Sequence, residues 1–159
     1  MIRQFQFEAE VYESLSCVPM QARRKLDAVG IKIHLRQWQQ LTMGERLMIC
    51  HAPTELEDER DALRLFIEEV TLARSGSRPK ELSQEVRLSA RPPLSPPQQL
   101  VANARELGVD LTQSAWNSLD EDERYALVKL GGEAKVSHNL KAALGEFLAL
   151  HAPAANLAT

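Results

Sequence analysis

The amino-acid sequence predicts an all-α fold, and three observations carry that expectation. Apolar residues recur at helical spacing in several stretches, and polar helix-start signatures stand ahead of them. No paired run of alternating apolar and polar residues is present to supply a sheet. With 159 residues, 44% hydrophobic and 26% charged, the chain has the composition of a globular protein. A chain of this size buries roughly 68–70% of its unfolded surface and needs no cross-links to hold a core. The expected organisation is a single helical domain built from two similar three-helix units plus flanking helices. Its first half spans residues 1–74 and its second half residues 98–159, joined by a Pro-rich connector over 75–97.

At the start, Phe5, Phe7, Ala9 and Val11 alternate like a strand while residues 8–15 fit a helix, so a short extended arm followed by a helix is expected. Residues 19–29 then read as a helix. Proline is tolerated at its start, where the missing N–H has no intrahelical partner, and Gly30 can take the left-handed conformation that ends it. A short segment carrying Trp38 follows. Thr42 and Glu45 have the spacing of a capping box, in which each side chain accepts the other residue's N–H, so a new helix is expected near Met43. A second such signature at 54–57 precedes Leu63, Phe66, Ile67 and Val70, which share one helix face up to Gly76. The connector holds Pro79, Pro92, Pro93, Pro96 and Pro97, with Leu82, Val86, Leu88 and Leu94 available to anchor it. Loops this long are uncommon without a role, so an ordered wrapper with a mobile middle is expected. Near the end, Ser137 is placed to cap a helix bearing Leu140, Leu144, Phe147 and Leu148.

The second half repeats the first. Laying residues 19–49 on 97–127 without gaps superposes Pro19 on Pro97, Gly30 on Gly108, Trp38 on Trp116, Leu41 on Leu119, Glu45 on Glu123 and Arg46 on Arg124. The chain's two tryptophans thus coincide within the shared pattern W-x2-L-x3-E-R. Asp120 and Glu123 repeat the capping signature, so helices are expected over 97–107 and from about Glu121. Indoles at matched points of a repeat are read first as plugs in a helical core.

Few residues invite chemistry. Arg46 and Arg124 fall in the first turn of a helix, where a cation opposes the macrodipole and needs a compensating group. They are candidates for an ion pair with Glu45, Asp122 or Glu123, or for anion binding. The four histidines and Cys17 and Cys50 show no H-x3-H, H-E-x-x-H or C-x-x-C spacing, so no metal and no cofactor is expected. Cys17 and Cys50 make no disulfide framework, which suits a reducing cytoplasm. No phosphate-binding glycine loop, nucleophile elbow or paired acid constellation is present, so an enzyme is not expected. The net charge of -3 lacks the basic footprint of a nucleic-acid binder. A helix-turn-helix reading also fails on the acidic run 120–123, which repels phosphate. No stretch approaches ~18 apolar residues and the start has no signal-peptide core, so neither membrane insertion nor secretion is expected. Positive charge gathers at Arg23, Arg24 and Lys25 while residues 55–61 and 120–123 are acidic, an asymmetry that can steer a protein partner.

Longer patterns carry a resemblance. The run FQFEAEVYESLSCVPMQARRKLDAVGIKIHLRQWQQLTMGERLMI at 5–49, and later WNSLDEDERYALVKL and SHNLKAALGEF, resemble the nitrate reductase-associated protein family. The family pattern falls on Phe5, Phe7, Glu8, Cys17, Pro19, Met20, Arg23, Lys25, Leu26, Asp27, Gly30, Ile31 and Lys32 in the first half. In the second half it falls on Trp116, Leu119, Arg124, Ala126, Leu127, Lys129, Leu130, Ser137, His138, Asn139, Leu144, Glu146 and Phe147. The chain departs from it at Ala28 and Val29, where family members often carry a cysteine, and at Arg24, where they carry an aromatic residue. The resemblance implies a non-catalytic, cytoplasmic accessory protein that supports assembly or activation of assimilatory nitrate reductase, a molybdenum and iron–sulfur enzyme. Its partner would be the reductase or one of the proteins that assemble its cofactor. A docking face is expected on the helix 19–29, through Arg23, Lys25 and Asp27, joined by Lys129 and His138. The alternative is a helical carrier of a small molecule or cofactor, with a pocket between the repeat units and Arg46 or Arg124 turned inward.

Overall fold

A computed structural model of the chain describes residues 2–151; residues 152–159, counted above with the second half, lie outside the described residues. The fold is mostly helical and divides into two compact units, Met1–Ala90 and Arg91–Thr159.

In the first unit a single turn of 3-10 helix at Gln6–Glu8 leads into α1 (Ala9–Ser14), which Leu15 ends in the left-handed region at φ 49°. There follow α2 (Met20–Val29), α3 (Leu35–Gln40), α4 (Met43–His51) and the long α5 (Glu57–Ser75). Gly30 closes α2 at φ 79° and Gly76 closes α5 at φ 74°, conformations open to residues without a Cβ. Thr42 Oγ1 accepts from the Glu45 N–H while the Glu45 carboxylate accepts from the Thr42 N–H, the reciprocal cap expected there. At α5 the start differs from the expected signature. The helix begins at Glu57, and the Glu59 carboxylate accepts the N–H groups of Leu56 and Glu55 at 2.9 and 3.0 Å, so Glu59 does the work assigned to Thr54.

The connector is divided between the units: its residues up to Ala90 are built into the first unit, and those from Arg91 onward fall in the second. Lys80–Glu81 (β2) pairs antiparallel with Ile31–Lys32 (β1), placing Ile31 opposite Glu81 and Lys32 opposite Lys80. This corrects the expectation of no sheet; strands of two residues carry no alternation to read. The Leu82 N–H extends the ladder to the Gly30 carbonyl at 2.9 Å. Next, α6 (Gln84–Leu88) packs on α2, and Arg24 Nε holds the Ala90 carbonyl at 2.9 Å. Of the expected anchors, Leu82 and Val86 are partly buried while Leu88 and Leu94 are exposed. The core of this unit gathers Ile2, Leu15, Leu26, Val29, Ile31, Trp38, Ile49, Cys50, Leu63 and Ile67.

The second unit comprises α7 (Gln98–Glu106), α8 (Gln113–Ser118), α9 (Glu121–Gly131) and α10 (Leu140–Leu150). Gly108 sits at φ 81°, and Asp120 and Glu123 exchange the same pair of caps as Thr42 and Glu45. Ser137 does not cap the last helix, whose N-cap is Asn139; its carbonyl instead accepts the Leu140 N–H and its hydroxyl the Asn139 N–H. The helix starts too late for Ser137 to stand at its end. Gly131 lies directly under Leu140, where a Cβ would come within 2.5 Å of Cδ2, so its lack of a side chain lets α10 close onto α9. Trp116, Tyr125, Leu127, Leu140, Leu144 and Phe147 are fully buried here.

Candidate functional site

Three of the charged side chains singled out by the sequence, Arg46, Arg124 and Lys25, hold helix ends. Arg46 Nε donates to the Trp38 carbonyl at 3.0 Å and Nη2 to the Gln39 carbonyl at 2.6 Å. Arg124 does the same with Trp116 and Asn117, at 3.0 and 3.2 Å. These oxygens belong to the last turns of α3 and α8, which lack helical partners and carry the negative end of the macrodipole. The compensating groups for the two arginines are therefore backbone carbonyls of the preceding helix, in place of Glu45, Asp122 or Glu123. Glu45 instead meets Arg74 at 2.9 Å, and the guanidinium beside it holds its carboxyl below the usual value of 4.5.

The indoles are equally committed. Trp38 Nε1 donates to the Leu15 carbonyl at 2.7 Å and Trp116 Nε1 to the Pro93 carbonyl at 3.1 Å, both rings fully buried. Each tryptophan thus reaches back the same distance along the chain, to the segment that enters its own unit.

The expected docking residues separate in the same way. Arg23 is exposed and Asp27 is buried on α2. Lys25 Nζ donates to the carbonyls of Cys50 and Ala52, at 2.7 and 2.6 Å, capping the end of α4. In the second unit Asn103, at the matching position of α7, donates to the carbonyls of Gly131 and Glu133 at the end of α9. Lys129 lies over the Tyr125 ring with Nζ 5.5 Å from its centre, and His138 is exposed.

Sequence reasoning missed a buried polar cluster near the start. Both carboxylate oxygens of Glu8 accept the Met20 N–H at 3.1 Å, giving α2 the acceptor that Pro19, its N-cap, has no side chain to provide. The Tyr12 hydroxyl donates to Glu8. Burial, reinforced by the Glu8 carboxylate, pushes the Tyr12 phenol well above its ordinary range and keeps it a neutral donor. Burial also raises the Cys50 thiol to about 11, against the opposing pull of Lys25, so this cysteine packs as a small apolar group. Cys17 is exposed. Among the described residues no group of His, Cys, Asp and Glu is placed to hold a metal ion, and no helix is long and apolar enough to cross a membrane. A cleft of about 340 Å³ in the first unit is lined by His34, Arg36, Gln37, Gln40, Ser75 and Ser77.

What remains uncommitted is a surface. On α4 the exposed positions Met43, Gly44, Leu47, Met48 and His51 fall on one side of the helix and include no Asp, Glu, Lys or Arg. Met48 is 58% exposed and Leu47 43%. On α5, packed against α4, the exposed face carries Asp58, Asp61, Leu65, Glu69 and Leu72. Periodicity contained this signal, because a helix starting at Met43 buries Ile49 and Cys50 and must turn the methionines and Leu47 outward.

These features define a small, mostly helical protein whose buried polar groups clasp helix ends and whose first unit leaves an uncharged helix face in water. The chain belongs to the conserved nitrate reductase-associated protein family, which it matches over residues 4–147. No curated protein and no solved structure is similar enough to this chain to add to that assignment.

Proposed function

We propose that this protein is a non-catalytic cytoplasmic accessory factor that supports assembly or activation of assimilatory nitrate reductase by direct protein contact. The observation that carries the reading is the exposed row Met43, Leu47 and Met48 on α4, within a chain whose family is associated with that enzyme. Flexible methionines on an exposed apolar face adapt to a partner surface at little packing cost. Of the expected docking set, Arg23 on α2 and His138 in the second unit are exposed, whereas Asp27 is buried and Lys25 holds the end of α4. The carrier alternative is disfavoured because both Arg46 and Arg124, its polar anchors, already hold backbone carbonyls.

The two units read as copies of one three-helix module. Matching caps, matching left-handed glycines and matching arginine and tryptophan hydrogen bonds support that reading. On this reading the functional difference between the copies lies in what each one exposes.

Deleting the gene should lower nitrate reductase activity together with the molybdenum cofactor content of the purified reductase. Normal cofactor loading and activity in the deletion strain would remove the accessory role.

A further inference from the structure

We propose that the first unit receives an amphipathic helix with a basic edge, contributed by the partner protein, across α4 and α5. This deepens the accessory reading and rests on it for the identity of the partner.

The argument begins with charge. On α5 and its approach, Glu55, Glu57, Asp58, Asp61 and Glu69 are exposed. The ion pairs of this helix go elsewhere: Arg64 takes Glu68 and Glu81, and Arg74 takes Glu45. Arg60 spends its guanidinium on the carbonyls of Thr54 and Glu55. Asp58 accepts the Glu59 N–H at 2.9 Å, and among the described residues Asp61 and Glu69 on the outer face of α5 have no ion-pair partner.

They are also interleaved with exposed apolar side chains at helical spacing. Asp58, Asp61, Leu65, Glu69 and Leu72 occupy one arc of α5, with Leu65 67% and Leu72 42% exposed. Leucine between unpaired acids complements a ligand that offers methylenes and cations together, as the long stems of lysine and arginine do. The neighbouring face of α4 supplies the other half, an apolar row without charge in Met43, Leu47 and Met48. A helix laying its apolar side on α4 and its basic edge on α5 satisfies both; an acidic helix or an anionic lipid surface is repelled by the carboxylates.

The test uses the full chain and two synthetic amphipathic helices of equal length, one built from Leu and Lys and the other from Leu and Glu. Fluorescence anisotropy should show the Leu/Lys peptide binding at least ~10-fold tighter than the Leu/Glu peptide, with the preference shrinking as salt rises. Asp61→Lys with Glu69→Lys should abolish the preference. Leu47→Glu with Met48→Glu should reduce Leu/Lys binding by ~10-fold or more. All four positions are exposed, and circular dichroism will show that the variants keep their helices. Equal affinity for both peptides, or affinities unchanged by either double variant, would overturn the proposal. Sedimentation of the wild type as a dimer that Leu47→Glu with Met48→Glu converts to monomer would assign the face to a second copy and likewise overturn it. A deletion strain with normal reductase would sink the accessory role while leaving the peptide result intact, so the two failures are separable.

Discussion

The indole of Trp38 donates to the carbonyl of Leu15 at 2.7 Å, and Leu15 itself is held left-handed at φ 49° with its side chain buried. The Arg46 guanidinium approaches the same carbonyl at 3.4 Å. One oxygen therefore ties the end of α1 to both the tryptophan of α3 and the first turn of α4. Replacing Trp38 by Phe removes a buried hydrogen bond and leaves part of the indole volume empty. The expected loss is about 2–3 kcal/mol in urea unfolding. Trp116→Phe, which loses the bond to Pro93, should cost a similar amount. A loss below about 0.5 kcal/mol for either would contradict the clasp.

Gly30 and Gly108 share a conformation, at φ 79° and 81°, but differ in surroundings. A Cβ at Gly108 meets nothing within 4 Å, whereas one at Gly30 falls 2.7 Å from Arg87 Cδ and 2.8 Å from Nε. Gly108→Ala should therefore cost only the backbone penalty of about 1–2 kcal/mol. Gly30→Ala should cost more, and adding Arg87→Ala should return the excess. If the single variants prove equally stable, the Arg87 side chain is not held over Gly30 in solution and swings aside.

The pair formed by Glu45 and Arg74 makes a pH prediction. Because the guanidinium lowers the folded-state value of Glu45 below 4.5, its contribution to stability is present above about pH 4.5. That contribution is lost as pH falls through the lowered value. NMR titration should find the Glu45 carboxyl below the ordinary range in the wild type and shifted upward in Arg74→Ala. An unchanged Glu45 titration in the variant would disprove the assignment.

The two thiols should react very differently. Cys17 is exposed, whereas Cys50 is buried with its thiol raised to about 11. At pH 8 a thiol reagent should label one cysteine rapidly, and Cys17→Ser should remove that phase. Cys50 should react only when the protein is unfolded. Rapid labelling of folded Cys17→Ser would show that the α4 core opens.

Local signals in the chain foretold local structure. The caps at Thr42 and Asp120, the glycine stops at 30 and 108 and the buried tryptophans are all short-range consequences of side-chain type, and each lies where the sequence placed it. Groups separated along the chain were opaque. Nothing near Pro19 announces that Glu8 supplies the acceptor for α2, and nothing near Lys25 points to the carbonyls of Cys50 and Ala52. The expected docking set mixes exposed residues with internally bonded ones for this reason, since a lysine on a helix looks the same whether its ammonium meets water or a carbonyl. The uncharged face of α4 is legible in the helical spacing of Met43, Leu47 and Met48.

The arginine of each W-x2-L-x3-E-R segment grips two adjacent carbonyls with a planar fork, so the angle from short helix to long helix is set within the segment, while its indole N–H is satisfied from outside it. Lysine at Arg46 or Arg124 would keep the positive charge yet present one ammonium where two directed donors are required. Such a bend can be treated as a transplantable corner piece: residues 35–46 and 113–124 should exchange places with their internal geometry preserved. An engineer grafting the segment into other helical scaffolds would carry its turning angle along with it.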